Sequence, residues 1–320
     1  MKLIIQPDDG LTPIVQAVKR AKKNIDIVIF RFDRLDLEKA LEAAVARGVP
    51  VRALIAHTNR GGEKNLRKLE LRLLDAGVTV ARTADDLPRY HGKMMLVDGT
   101  LYVFGFNYTK LDVEKSRSFG VWTREQRLVK EASSLFEADS TRQLYSPSNN
   151  RLVVSPETSR EILTAFIRGA KKQLLIYDEK ITDNLIQRVL QDRARRGVEI
   201  RVIGRVEKGL PGVEARQLPD LRLHVRAMVR DGATAFIGSQ SLRKLELDGR
   251  REVGVIINDS RVAKKMQVIF EADWAEAGRR GAAEKAAKVR QRIKEKGVKP
   301  PKSARKRASV AVRQRSAAAL

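Results

Sequence analysis

Cysteine is absent from the 320 residues. That excludes disulfides, thiolate nucleophiles and thiolate zinc sites. Histidine is nearly as scarce, at three copies. No apolar run approaches the roughly 20 residues needed to span a bilayer, and the opening Met1-Lys2-Leu3-Ile4-Ile5-Gln6 stretch is too short in apolar residues for a signal peptide. A cytoplasmic protein is expected, with peripheral membrane attachment compatible. Acidic residues are in deficit: 39 Asp and Glu face 64 Lys and Arg, a net charge of +25. Such a surplus leaves the fold open and predicts attraction to polyanions, either nucleic acid or an anionic membrane surface. The length suffices for one large core or two of ordinary size.

What is present is a repeat. His91, Lys93, Asp98 and Gly99 are echoed by His224, Arg226, Asp231 and Gly232 at the same mutual spacings. Ala21-Lys22-Lys23-Asn24-Ile25-Asp26-Ile27 matches Ala170-Lys171-Lys172-Gln173-Leu174-Leu175-Ile176, and Arg47-Gly48-Val49 matches Arg196-Gly197-Val198, at an offset of 149 residues. The histidines are offset by 133, and Phe119-Gly120-Val121 lies 134 before Val253-Gly254-Val255. The first half thus carries about 16 extra residues before its motif, where a helix over Glu63–Ala76 is expected. The halves read as a duplication, joined near 139–151 by a Ser/Pro/Asn-rich stretch.

Helices are expected over 12–24, with Thr12 as cap and Pro13 first, and over Leu37–Ala46, alternating with apolar strands at 25–32, 49–55, 78–82, 91–96, 102–106 and 118–123. Asp98-Gly99 predicts a tight turn. Alternating strands and helices predict an α/β protein with mixed, largely parallel sheets. The division is residues 1–145, residues 146–277 and a basic tail, 278–320, with 15 Lys and Arg against 2 Glu. Ala282–Lys294 could be helical, and the Pro300-Pro301 segment beyond has a disordered composition.

An imidazole beside a fixed cation suits in-line attack on a phosphodiester: the ring is nucleophile or acid, the cation neutralises non-bridging oxygens. Two such motifs could serve one phosphorus from opposite sides. This pattern resembles the phospholipase D superfamily, H-x-K-x4-D-x6-G-S-x-N twice per site, over about residues 8–277. His91, Lys93, Asp98 and Gly105 fit the first copy; His224, Asp231, Gly238 and Ser239 fit the second. Arg226 replaces the family Lys, Asn107 follows Gly105 by two residues with no Ser before it, and Ser241 takes the second Asn position. The resemblance implies two halves packed about a pseudo-twofold axis with both motifs at the seam, so that a monomer suffices for one site. It implies His91 as nucleophile forming a phosphohistidine, His224 as acid and then base, and Arg226 on the phosphate. Asp98 and Asp231 come over as motif members with a structural role, and Asn107, Ser239 and Ser241 as substrate-binding or orienting positions. Glu252 stands where the family places an acid that orients a catalytic His, and Ser118 is its first-half counterpart. No metal or cofactor is implied; Asp85 and Asp86 read as solvated loop acids and His57 as a loop residue.

Three functions fit these residues: a phospholipase D-like enzyme acting on phospholipids by hydrolysis or phosphatidyl transfer, as cardiolipin synthases do; a nuclease of the same superfamily; or a catalytically impaired phosphate-binding homologue. The partners expected are a phospholipid, an anionic membrane surface and, through the tail, nucleic acid, although that tail has no aromatic residue to stack on bases.

Overall fold

Two runs of elements follow one another in the same order in the computed structural model, which describes residues 1–59, 62–207 and 209–296. The first run is β1 (Lys2–Gln6), α1 (Thr12–Arg20), β2 (Ile25–Ile29), α2 (Leu35–Ala46), β3 (Val51–Ile55), α3 (Glu63–Asp75), β4 (Thr79–Arg82), β5 (Met94–Val97), β6 (Thr100–Phe104), α4 (Lys110–Glu114), β7 (Ser116–Thr123) and α5 (Gln126–Thr141). The second is β8 (Leu152–Ser155), α6 (Ser159–Arg168), β9 (Gln173–Ile181), α7 (Asn184–Arg195), β10 (Glu199–Val206), β11 (Val213–Arg216), β12 (Arg222–Leu223), β13 (Arg226–Arg230), β14 (Thr234–Gly238), α8 (Lys244–Asp248), β15 (Glu252–Ile257) and α9 (Ser260–Lys296). The sheet orders, β1-β7-β6-β5-β2-β3-β4 and β8-β15-β14-β13-β9-β10-β11, superpose strand for strand. The helix α3 has no counterpart between β10 and β11, which is where the sequence offsets place the extra residues.

The sheets are mixed: β2-β3-β4 and β9-β10-β11 pair in parallel, as does the short β12 against β7, and the remaining neighbours run antiparallel. The expectation of largely parallel sheets is corrected for a simple reason. Straight after each motif strand the chain turns back through a two- or three-residue connection, which can join only antiparallel strands, and the strand after α4 or α8 is then added antiparallel to that hairpin. Between β5 and β6 that turn is Asp98-Gly99, both residues at positive φ (47° and 74°), the backbone of a type I′ hairpin.

Both faces of each sheet are covered over its inner strands, which are buried almost throughout, while the edge strands β4 and β11 are partly exposed. Along β5, Met94 and Leu96 enter a central core while Met95 and Val97 enter an outer one under α1 and α2, as the two-residue period of a strand requires. The central core takes residues from both sheets together with α5 and α9; a third core lies under α6 and α7. Each fully buried large side chain contributes about 1.5–3 kcal/mol. The halves meet closely at Gly105 and Gly238, where a Cβ on Gly105 would stand 3.3 Å from the Gly238 carbonyl oxygen. Together they form one compact unit, Met1–Trp274.

Thr12 is not the cap of α1: Leu11 occupies that position, and Thr12 and Pro13 are already helical. The chain enters the helix one residue early because buried Leu11 anchors it. The helix expected over Ala282–Lys294 lies within α9; residues 297–320 fall outside the described residues. No helix among the described residues is long and apolar enough to cross a membrane.

Candidate active site

The residues before each motif are sewn by backbone bonds to the opposite half. The amides of His91 and Gly92 donate to the Arg251 carbonyl at 2.7 and 3.0 Å, and the Arg251 amide donates to Arg89 at 2.9 Å. In the second half β12 pairs with β7, placing Arg222 beside Ser116 and Leu223 beside Arg117. The last strand of one half therefore positions the histidine of the other. His91 itself precedes β5 rather than lying in it, and Phe30 packs edge-on against its ring with centroids 4.5 Å apart.

Crossing over brings a carboxylate to each imidazole. Glu252, completely buried on β15, lies 2.8 Å from His91 Nδ1; Asp112, on α4, lies 3.3 Å from His224 Nδ1. The Glu252 contact is a hydrogen bond and leaves Nε2 of His91 for chemistry, whereas Asp112 meets His224 Nδ1 as a charge contact without a hydrogen bond. Burial, and then the charges of Lys93, Arg226, Arg250 and Arg89, hold His91 well below the usual imidazole range. Burial does the same to His224, opposed by Asp112 and reinforced by Arg226, Lys93 and Arg222. Burial pushes Glu252 up against Lys93, the Ser239 hydroxyl and two arginines. Asp112 stays below the ordinary carboxylate range because His224, Asn107 and Arg222 outweigh its burial.

Both histidines open on a cavity of about 260 Å³. The two motif cations behave differently there. Lys93 is fully buried behind it, its Nζ donating to the His91 carbonyl at 2.6 Å, and desolvation draws it down to about 7 against Glu252 and Asp112. Arg226 lines the cavity and is 7 % exposed; its Nη2 is 3.4 Å from Glu179, while Nε and Nη1 are buried without a hydrogen-bond partner. The guanidinium thus sets a fixed positive charge at the cavity wall, where a phosphate oxyanion would be attracted.

Asn107 lines the cavity and gives its Nδ2 and backbone N–H to Asp112 at 2.6 and 2.8 Å. Ser239 also lines it, its hydroxyl engaged with the Val253 backbone. Ser241 does not reach the cavity: it donates to buried Asp178 at 2.6 Å, beneath the Leu242 amide. Asp98 and Asp231, grouped with the catalytic residues by the motif, are likewise elsewhere. Asp98 accepts from the amides of Lys22, Lys23 and Asn24, and Asp231 from those of Lys171, Lys172 and Gln173. Each closes a hairpin turn at the far end of β5 or β13 and pins the chain entering β2 or β9. His57 is an exposed loop residue, and Asp86 accepts the Tyr90 hydroxyl at 2.7 Å.

Several residues of the site escaped sequence reasoning. Arg89 and Arg222 both stand two residues before their histidine, at the same offset of 133, and that signal was available. Asp112 sits six residues before Ser118, the position aligned with Glu252, so no spacing pointed to it. Arg243, Glu246 and Arg250 line the cavity from α8 and its flanks without a motif of their own.

No curated protein matches the chain in sequence. Among solved structures, a polyphosphate kinase from Porphyromonas gingivalis is similar at a TM-score of 0.71 with 20% identity, over 85% of this chain and 50% of that one; this chain thus spans half of that protein's length. A phosphatidylserine synthase from Haemophilus influenzae Rd KW20 is similar at 0.64 with 12% identity, over 86% of each chain. Nuc from Salmonella typhimurium, a phospholipase D family member, gives 0.41 with 22% identity over 46% of this chain and 99% of that one. For the first two, at such identities, the likeness is one of fold. The family described as "Cardiolipin synthase, PLD-like domain" matches residues 14–140 and 163–274, three quarters of the sequence with both motifs inside, and the chain therefore belongs to this phospholipase D-like family, within a superfamily of phosphodiesterases and phosphotransferases.

Proposed function

We propose that the protein is a phospholipase D-like enzyme that cleaves a phospholipid phosphodiester and passes the phosphatidyl group to water or an alcohol. The observation that carries this reading is the crossed pair of histidine–carboxylate contacts opening on one cavity that Arg226 also lines. The lipid substrate is supported by the cardiolipin synthase-like family and by the presence of both half-sites in one chain.

In this mechanism the non-bridging oxygens lie on Arg226, with Lys93 behind. The lone pair of His91 Nε2 attacks phosphorus as the bond to the leaving oxygen breaks, and His224 Nε2 gives that oxygen its proton. The lowered proton affinity of His91 keeps it unprotonated and nucleophilic, while Glu252 holds the proton on Nδ1. Asp112 opposes the burial that lowers His224, and the incoming anionic phosphate favours the charged ring, so in this mechanism His224 takes up its proton as substrate binds. In the second half-reaction the neutral His224 takes the proton of water or alcohol as its oxygen displaces His91, and the P–N bond breaks.

A nuclease is the second reading, favoured by the charged cavity wall, where Phe30 is the one apolar lining residue among those described. The deciding experiment assays wild type and His91→Ala, in chelator, on mixed anionic phospholipid vesicles and on single- and double-stranded DNA, with acid-labile phosphohistidine as a second readout. Lipid turnover and label that both vanish in His91→Ala are expected. DNA cleavage without lipid turnover transfers the assignment to the nuclease, and inactivity on every substrate overturns both.

A further inference from the structure

The cavity carries more positive charge than one phosphodiester needs. Arg31, Arg89, Arg222, Arg226, Arg243 and Arg250 line it against three carboxylates, Glu179, Glu246 and Glu252, whereas a diester phosphate brings a single negative charge. The surplus is not shared evenly between the halves. Arg89 and Arg222 are counterparts under the duplication, as are Lys93 and Arg226. Arg243 and Arg250 have no such counterparts; at the offset of 134 the first half has Thr109 and Ser116.

These two arginines converge on one oxygen of Glu246, at 3.3 and 2.8 Å, and the Nε of each is buried without a hydrogen-bond partner. Glu246 is the counterpart of Asp112. In the first half that carboxylate faces the opposite histidine; in the second it holds two guanidinium groups side by side at the cavity wall. Arg250 is also near enough to His91 and Glu252 for its charge to act on both.

We infer that Arg243 and Arg250 form a second phosphate site beside the reacting one, so that the preferred substrate carries at least two neighbouring phosphate groups. Resting on the phosphodiester reading above, this narrows the substrate to a class: a phospholipid whose head group bears a further phosphate, or a soluble bisphosphate of the same chemistry. Two charge-assisted fork contacts give the second phosphate both affinity and orientation.

Calorimetric titration tests this without turnover. Inorganic pyrophosphate is expected to bind the full-length protein about ten times more tightly than orthophosphate, the worth of one added charge-assisted contact. Arg243→Ala and Arg250→Ala should each bring that ratio toward one. Glu246→Gln, which releases both arginines, should increase it, a gain that misfolding cannot imitate. Equal binding of the two anions by wild type, or a ratio untouched by all three variants, overturns the inference. Phosphatidylcholine vesicles doped with phosphatidylglycerol phosphate identify the source: displacement of pyrophosphate by these and not by undoped vesicles assigns the second phosphate to a lipid head group, and failure to displace it assigns a soluble ligand. Pyrophosphate preference without any phosphodiesterase activity would leave this site standing and remove the proposed function; activity on a simple diester without the preference would do the reverse.

Discussion

The two halves share an order of elements and a sheet topology, yet they arm their histidines differently. His91 is backed by Glu252, a strand residue at the position where the family resemblance expects an orienting acid. His224 finds Ser118 at the equivalent place, and its carboxylate comes instead from Asp112 on α4. The cations diverge in the same way: Lys93 withdraws behind the cavity, while Arg226 lines it. A duplicated backbone preserved where the rings stand and left the side chains around them free to diverge. Under the proposed step-wise transfer that divergence would divide the roles of nucleophile and acid between the rings, which must differ in protonation as the reaction begins.

The sharpest way to break the comparison is to remove each ring in turn. His91→Ala should abolish turnover of every substrate, by about 10⁴-fold or more. His224→Ala should cost about 10²- to 10⁴-fold on a natural alcohol leaving group and far less on a p-nitrophenyl ester, whose leaving oxygen needs no proton. Equal rescue of both variants by the activated ester would end the division of roles. Glu252→Gln and Asp112→Asn come next, with losses of about 10²-fold expected in kcat; the pH–rate profile should move with the histidine each one serves. Unmoved profiles would reduce both acids to packing.

A smaller effect is expected from Lys93, whose folded pKa of about 7 lies below its unfolded value of about 10.4. Between these values the unfolded chain binds the extra proton, so the Lys93 contribution to stability rises with pH across that window and is constant below it. Urea midpoints of wild type and Lys93→Met, compared from about pH 6 to about pH 10, should converge as pH increases; a gap that does not narrow would show the ammonium is not desolvated as described. Smallest of all, Asp98→Ala and Asp231→Ala should each lower stability by about 1–2 kcal/mol through three orphaned amides, and both should leave the pH–rate profile in place.

That last pair shows motif members that serve the fold. Asp98 and Asp231 recur with the histidines because each closes the hairpin that begins with them, and the linear pattern cannot separate holding a turn from touching a substrate. Asp112 shows the converse. It lies close to His224 only because β12 crosses to pair with β7, and no local spacing encodes that contact.

The sequence alone determined the duplication, the α/β class, the extra α3 in the first half and the two histidines with their following cations, since these depend on residue order and on periodicities of a few residues. Tertiary structure decided the rest. It turned the return strands antiparallel, exchanged carboxylates between halves, hid Lys93 while leaving Arg226 at the wall, and gathered Arg243 and Arg250 on Glu246. Each of these depends on distances between residues far apart in the chain, and on the loss of solvent around them, which sets both their partners and their proton affinities.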